Sequence, residues 1–589
     1  MNCKVLLRKI FIWRLKHIND RNFMLLLSVI VGILVGLAAV VLKAFVNIVR
    51  NFVVYIVDNY SLNYIYIIFP AIGIFLTVVF VRFIIKKKLG HGIPMVLYSI
   101  SKNSGKIEKH NMFSRIVASS LTVGFGGSVG LEGPIVATGA AIGSNIGQFF
   151  RLSYKQIVLL IGCACTGAIA AIFKAPIAAI IFTIEVIMLD LTTASLMPLL
   201  MASISAALTS FLFSGQNYIY FVEKTESFML GNVPFYIALG ILAGLLSTYF
   251  SKFYLKINSF FESYSSWWKR FIIGASVLGI LIFLFPSLYG EGYEAINMAL
   301  HGNLDFLYEG SLYPNWKSFW GVTILLLLIL LLKVFATGAT FGAGGVGGIF
   351  APSLFLGAIL GLFFSYILKA LGVDLPESNF ALAGMAGVMA GVMHAPLTAI
   401  FMVAEITGGY NLFVPLMIVS TIAYFTARLF MPNSVYTILL AKRGELLTHN
   451  ADTNMLTLLR MESLIEKNFL TLKEDATLRD LVNIISKSSR TIYVVVDDDD
   501  NLKGIVWLDH VKHIMFNRDL YDSVYVKDLM YMPSPVIEWG MSVRQIAELF
   551  ETTDHYNLLV VKDGKYIGFI SKAKVFSTYR KLLKHFSND

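Results

Sequence analysis

One carboxylate stands among glycines in Gly126-Gly127-Ser128-Val129-Gly130-Leu131-Glu132-Gly133-Pro134, between apolar segments long enough to lie in a membrane. Acids at that depth are rare and mark paths for ions or protons. Pro134 suits the first position of a helix, and the glycines before it leave backbone N–H groups uncovered. The stretch therefore reads as a helix N-terminus able to hold an anion, with Glu132 competing for the anion's place. A plainer reading makes Glu132 a carboxylate favoured by the helix dipole and the glycines close-packing residues.

The elements around Glu132 must be membrane helices. Of 589 residues, 57% are hydrophobic and 14% charged, and the mean hydropathy is +0.71, which excludes a soluble protein of this size. Lys4, Arg8, Lys9, Arg14, Lys16 and Arg21 precede the first apolar run with no acid before Asp20. That bias predicts a cytoplasmic amphipathic segment over 1–22, and it accounts for much of the net charge of +11 without any nucleic-acid partner. Cys3, Cys163 and Cys165 support neither a disulfide framework nor a metal site.

An internal repeat organises the apolar region. Gly130, Pro134, Gly139, Ala140 and Gly143 fall on Gly348, Pro352, Gly357, Ala358 and Gly361 at one offset, the step from 130 to 348. A second block follows two residues further apart: Ala170, Ala175, Pro176, Ala179, Ile180 and Glu185 fall on Ala390, Ala395, Pro396, Ala399, Ile400 and Glu405. Two related halves of short, Gly- and Pro-broken helices place a transport site between the repeats. Loop charges leave open whether the halves are inverted or parallel.

Past about Leu440 the composition becomes that of a soluble domain. This tail is itself duplicated: Leu478–Ser488, Ile492–Val496 and Gly504–Trp507 recur as Val543–Phe550, Leu558–Val561 and Gly568–Ser571. Each copy leaves an apolar sheet face uncovered, so the two are expected to pack as one unit.

With these residues assembled, the chain resembles the CLC family of chloride channels and chloride/proton exchangers, and the tail resembles a pair of CBS domains. The resemblance rests on Gly90-His91-Gly92-Ile93-Pro94, Gly130-Leu131-Glu132-Gly133-Pro134, Gly348-Ile349-Phe350-Ala351-Pro352 and Pro432-Asn433-Ser434-Val435-Tyr436, in that order. It implies an anion path lined by His91, Gly92, Ile93, Leu131, Glu132, Gly133, Ile349, Phe350, Ala351 and the phenol of Tyr436, with Glu132 as gate. Such a path is sound chemistry: a dehydrated halide needs donors without a full fixed charge, because a buried lysine or arginine would trap it. Arg115 falls where relatives carry a buried basic residue, and Leu131 replaces an arginine found in some of them. His91 stands where many chloride-selective members have a serine. Val186 stands where exchangers carry an internal proton-transfer glutamate, and Glu185 matches the neighbouring position. In the tail, Gly504 is followed by Trp507 and His510, and Gly568 by Ser571 and Lys574, where nucleotide-binding pairs carry a hydroxyl and an acid. Asp509 lies one residue off, and nucleotide binding is doubtful.

Other classes fit less well. None of the ten histidines begins the His-Glu-x-x-His of an intramembrane metalloprotease, and a cation channel needs a ring of acids where this chain offers glycines. The expectation is an all-α polytopic membrane domain of two related, inverted repeats over 23–445, and a small α/β cytoplasmic CBS pair over 446–589, its copies at about 461–521 and 526–585. The protein is expected to be no enzyme and to use no cofactor or metal. It should be a homodimer in the cell membrane with both termini cytoplasmic, passing chloride or a related anion as a channel, with chloride/proton antiport as the alternative.

Overall fold

The structure, a computed structural model, describes residues 17, 19–60, 67–87, 89–90, 92–187, 193–215, 226–442, 459, 461–553 and 555–587. Most of the basic segment expected over 1–22, and His91, lie outside them. The chain forms two compact units that divide between Ala441 and Lys442.

In the first unit one half comprises α1 (Asp20–Tyr60), α2 (Phe69–Val79) with a π-helical extension Phe80–Ile85, α3 (Gly92–Lys102), α4 (Asn111–Gly124), α5 (Glu132–Phe149), α6 (Tyr154–Phe173), α7 (Pro176–Val186) and α8 (Thr193–Ser214). The other comprises α9 (Val233–Glu262), α10 (Trp267–Leu284), α11 (Tyr293–Leu300), α12 (Phe319–Gly342), α13 (Phe350–Ala370), α14 (Glu377–Met393), α15 (Pro396–Ile406) and α16 (Phe413–Phe430), and α17 (Ile438–Lys442) closes the unit. Among the described residues, eight helices are long and apolar enough to cross a membrane. Helix α1 buries Leu27, Val31, Val35 and Leu42 while exposing Ile30, Leu34, Leu37 and Val41. A helix that is apolar on its exposed side as well is suited to lipid.

The two halves obey one two-fold relation. Helix α1 packs on α8 as α9 packs on α16, and α5 on α6 as α13 on α14. Gly130 and Gly348, matched by the repeat, form an antiparallel bridge: the Gly130 N–H donates to the Gly348 carbonyl at 2.9 Å and the Gly348 N–H to the Gly130 carbonyl at 2.7 Å. Helices α7 and α15 have 11 residues each, about half a bilayer core at ~1.5 Å per residue. Their exposed N-termini are closed reciprocally. Glu185, near the end of α7, accepts from the N–H groups of Leu397 and Thr398 at 3.1 and 2.7 Å and from the Thr398 hydroxyl at 2.7 Å. Glu405, near the end of α15, accepts from the N–H groups of Ile177 and Ala178 at 3.2 and 2.8 Å. Each carboxylate reaches the start of the other helix, so the two run antiparallel about an axis perpendicular to both. The repeats are inverted, which the loop charges left open.

The second unit contains β1 (Thr471–Leu472), α18 (Leu478–Lys487), β2 (Ile492–Val496), β3 (Leu502–Trp507), α19 (Leu508–Val511), α20 (Val526–Leu529), β4 (Ile537–Glu538), α21 (Val543–Thr552), β5 (Asn557–Lys562), β6 (Lys565–Ser571) and α22 (Lys572–Ser587). Each copy is a three-stranded sheet in which the first strand pairs parallel and the third antiparallel with the second. The duplication extends to detail. Thr477 and Ser542 close matching capping boxes with Asp480 and Gln545, and the strands bulge at Val495/Val496 and Val560/Val561. Phe469, Ile492, Val494 and Ile505 share one core with Leu559 and Phe569, with the Phe469 and Phe569 rings 4.1 Å apart. The copies cover each other's apolar faces, which neither could do alone.

Candidate anion pathway

Three helix N-termini converge on one small cavity. Helices α3, α5 and α13 each carry proline as their third residue, Pro94, Pro134 and Pro352; the sequence pattern suggested the first position for Pro134. Either place suits proline, because the first four N–H groups of a helix have no internal acceptor. The N-caps of α5 and α13 are Leu131 and Ile349, whose side chains cannot accept a hydrogen bond, so the donors behind them stay available. That contrasts with α7 and α15, whose N-termini Glu405 and Glu185 occupy. A cavity of 40 Å³ lies among Gly92, Ile93, Gly133, Ile349 and Tyr436, with Tyr254 and Asn258 of α9 on its wall. One water needs about 10–15 Å³ by this measure, so the space is large enough for a small dehydrated anion. Glycine is required where the helix starts meet: a Cβ at Gly92 would lie 2.5 Å from the Gly133 carbonyl oxygen.

Glu132 opens α5 and is 1% exposed. Its Oε1 accepts from the Tyr293 hydroxyl at 3.3 Å. The carboxylate lies against Gly348, with the backbone N–H groups of Ala351 and of Glu132 itself facing it, so it lies at the N-terminus of α13, where an anion could lie instead. Oε2 is buried without a hydrogen-bond partner. A Cβ at Gly130 would overlap this carboxylate, which explains glycine there.

The remaining sequence candidates distribute as follows. Leu131, Phe350 and Ala351 are buried beside Glu132, and Phe350 packs its ring 4.8 Å from that of Phe173. Tyr436 is 6% exposed and lines the cavity with the helix starts. Arg115 is 1% exposed, and its partners are the Asn111 side-chain oxygen and the Met95 sulfur, neither charged. Val186 is buried at the end of α7, and the adjacent Glu185 is committed to α15. Sequence reasoning missed Tyr254 and Asn258, and it missed Lys43, Glu291, Tyr293 and Lys333, which gather on the other side of Glu132. Lys43 and Lys333 did carry a signal: each is a lone cation in an apolar run.

In the tail, Ser571 donates its hydroxyl to Glu466 Oε1 at 2.6 Å, and Arg490 donates to Oε2 at 3.0 Å. These bonds, the serine's first, hold the Glu466 carboxyl below its ordinary range. Trp507 buries its indole N–H without a partner, with its ring 6.4 Å from that of His510. Lys574 donates its backbone N–H to the Ser571 hydroxyl at 3.1 Å.

Inverted repeats of broken helices, with unclosed N-termini meeting at a small cavity, define a multi-span membrane protein of the anion-transporting class. The chain belongs to the CLC family: the family model described as "Voltage gated chloride channel" matches residues 73–428, and a CBS domain model matches 461–506. A putative chloride channel protein ClcB-like from Ralstonia nicotianae is 30% identical over 361 residues, covering 60% of this chain and 80% of that protein. The H(+)/Cl(-) exchange transporter ClcA of Vibrio cholerae is 31% identical over 331 residues, and the match spans 54% of this chain and 66% of that protein's length. The crystal structure of a eukaryotic CLC transporter shares the fold, with a TM-score of 0.60 at 18% identity over 94% of this chain and 97% of that one.

Proposed function

We propose that this protein passes chloride or a related anion across the cell membrane along the N-termini of α3, α5 and α13, with Glu132 as the gate. The observation that carries the reading is the Glu132 carboxylate at the N-terminus of α13, whose N-cap Ile349 offers no side-chain acceptor, beside a cavity large enough for a small anion. Protonated or displaced, the side chain leaves donors that an anion can take. Gly92, Ile93, Gly133, Ile349 and the Tyr436 phenol supply the inner site, and Leu131, Phe350 and Ala351 the site that Glu132 occupies. His91 precedes α3 and bears on anion preference.

The transport is channel-like. Strict exchange needs a protonatable relay between Glu132 and the cytoplasm; Val186 supplies none, and the Glu185 carboxylate is engaged as a cap. The second reading, chloride/proton antiport, is favoured by the exchanger among the relatives. The protein works as a homodimer with one path per subunit, both termini in the cytoplasm, over the domains 1–22, 23–445 and 446–589. It is a transporter without enzymatic activity, and its CBS pair is structural. The test is an imposed chloride gradient across proteoliposomes with internal pH followed. Chloride movement without sustained proton movement supports the channel; uphill proton pumping at a fixed ratio establishes the exchanger.

A further inference from the structure

A cavity of 430 Å³ opens on the side of Glu132 away from Tyr436, between α1 and the loop from Pro286 to Gly292. Lys43 on its wall lies 23 residues beyond the start of α1, roughly 35 Å along the helix, which puts the cavity at the face opposite that helix's beginning. Its floor holds a second acid. Glu291 buries Oε1 with no hydrogen-bond partner, and the Leu131 backbone N–H and the Tyr293 hydroxyl both face its carboxylate. The same hydroxyl lies 3.3 Å from Glu132 Oε1. One phenol thus stands within reach of two carboxylates, and it has one proton to give.

The charges facing Glu291 from every side are few. Glu132 approaches from α5, Lys43 from α1 and Lys333 from α12. Lys43 donates to the Ile172 carbonyl. Lys333 is fully buried, 3.5 Å from the carbonyl of Gly290 and 4.5 Å from the Phe355 ring centre. At the rim are Glu309 and the ion pair of Arg50 with Glu294, and Tyr289 lines the wall.

We propose that Glu291 is the outer proton-loading group of the gate, handing a proton to Glu132 through the Tyr293 hydroxyl. A protonated Glu291 gives its proton to the Tyr293 oxygen as the phenol's own proton passes to Glu132 Oε1. Glu291 ends ionised, Glu132 neutral, and the phenol unchanged. A route through a positioned hydroxyl is faster than one that must draw a proton into a buried carboxylate directly.

This proposal rests on Glu132 being the gate, and the experiment separates the two. Full-length protein in liposomes is tested for chloride flux against external pH, and for the rate at which flux responds to an external pH jump, as wild type, Glu291→Gln, Tyr293→Phe and Glu132→Gln. Glu291→Gln removes a like charge, so half-response moves to lower pH by about one unit. Tyr293→Phe keeps the ring and slows the response on the order of tenfold. Glu291→Asp, which keeps an acid, restores the wild-type midpoint. If Glu132→Gln is flat with pH while Glu291→Gln keeps the wild-type midpoint, or while Tyr293→Phe keeps the wild-type rate, the relay is overturned and the gate stands. If Glu132→Gln keeps the wild-type pH response, both are overturned.

Discussion

Removing the Glu185 carboxylate takes the acceptor from two backbone N–H groups and one hydroxyl at the start of α15. Losing an N-cap costs about 0.5–2 kcal/mol, and hydrogen bonds to a charged group contribute about 1.5–3 kcal/mol each. With two backbone donors and one hydroxyl released at a partly buried end, Glu185→Ala is expected to cost about 2–4 kcal/mol. Glu405→Ala, with two donors released at α7, should cost about 1–3 kcal/mol. Glu→Gln at either place keeps a side-chain oxygen as acceptor and should cost less than half as much. The two caps lie at opposite ends of 11-residue helices, about 15 Å apart, so their losses should add to within about 0.5 kcal/mol. Reversible unfolding of the purified protein in mixed detergent micelles measures all five variants, the double Ala included. Stabilities unchanged by either Ala variant would refute the reciprocal lock, as would a Gln variant as damaging as its Ala counterpart.

Three further outcomes are expected. Tyr436→Phe keeps the ring and removes one donor worth about 1–1.5 kcal/mol, so calorimetry should find chloride binding about five- to tenfold weaker; an unchanged affinity would remove the phenol from the site. In the tail, the Asn501 amide first, with the backbone N–H groups of Asn501 and Asp499, holds the Asp497 carboxyl at about 2. A depressed carboxyl contributes stability above its unfolded value that disappears as pH falls through the folded one, so hydrogen-exchange protection factors over 492–507, taken against the intrinsic rate at each pH, should fall as pH drops toward about 2, and Asp497→Asn should show the low protection already at neutral pH; equal acid sensitivity in both would contradict this. Because Ser571 gives its hydroxyl to Glu466 and Trp507 and Lys574 replace nucleotide-binding types, ATP and AMP should bind the full-length protein with Kd values above about 1 mM, and micromolar heats of binding would show the tail to be a sensor.

The inverted architecture was legible because repetition leaves a spacing. The step from Gly130 to Gly348 marks the residues that bridge, and the step from Glu185 to Glu405 marks the reciprocal caps. Glu132 was legible because a carboxylate inside an apolar, glycine-rich stretch needs a special reason. The partners of Glu132 were not. Tyr293 and Glu291 follow a turn that starts at Pro286 and has no periodicity, and the bond from the Gly290 N–H to the Gly126 carbonyl ties that turn to the segment leading into Glu132. Tyr254 and Asn258 sit one turn apart on α9, a spacing that any amphipathic helix shows. Lys43 and Lys333 were readable as lone intramembrane cations, but a shared acidic partner lying between them in sequence can be assigned only from three-dimensional proximity.

The central claim is that the Glu132 carboxylate occupies an anion's place and yields it on protonation. Chloride efflux from liposomes holding Glu132→Gln, recorded across external pH beside the wild type, tests this most directly. The account predicts a wild-type flux that rises as external pH falls, and a Gln variant at or above the wild-type maximum at every pH. A Gln variant that is closed, or that follows the wild-type pH curve, would contradict it.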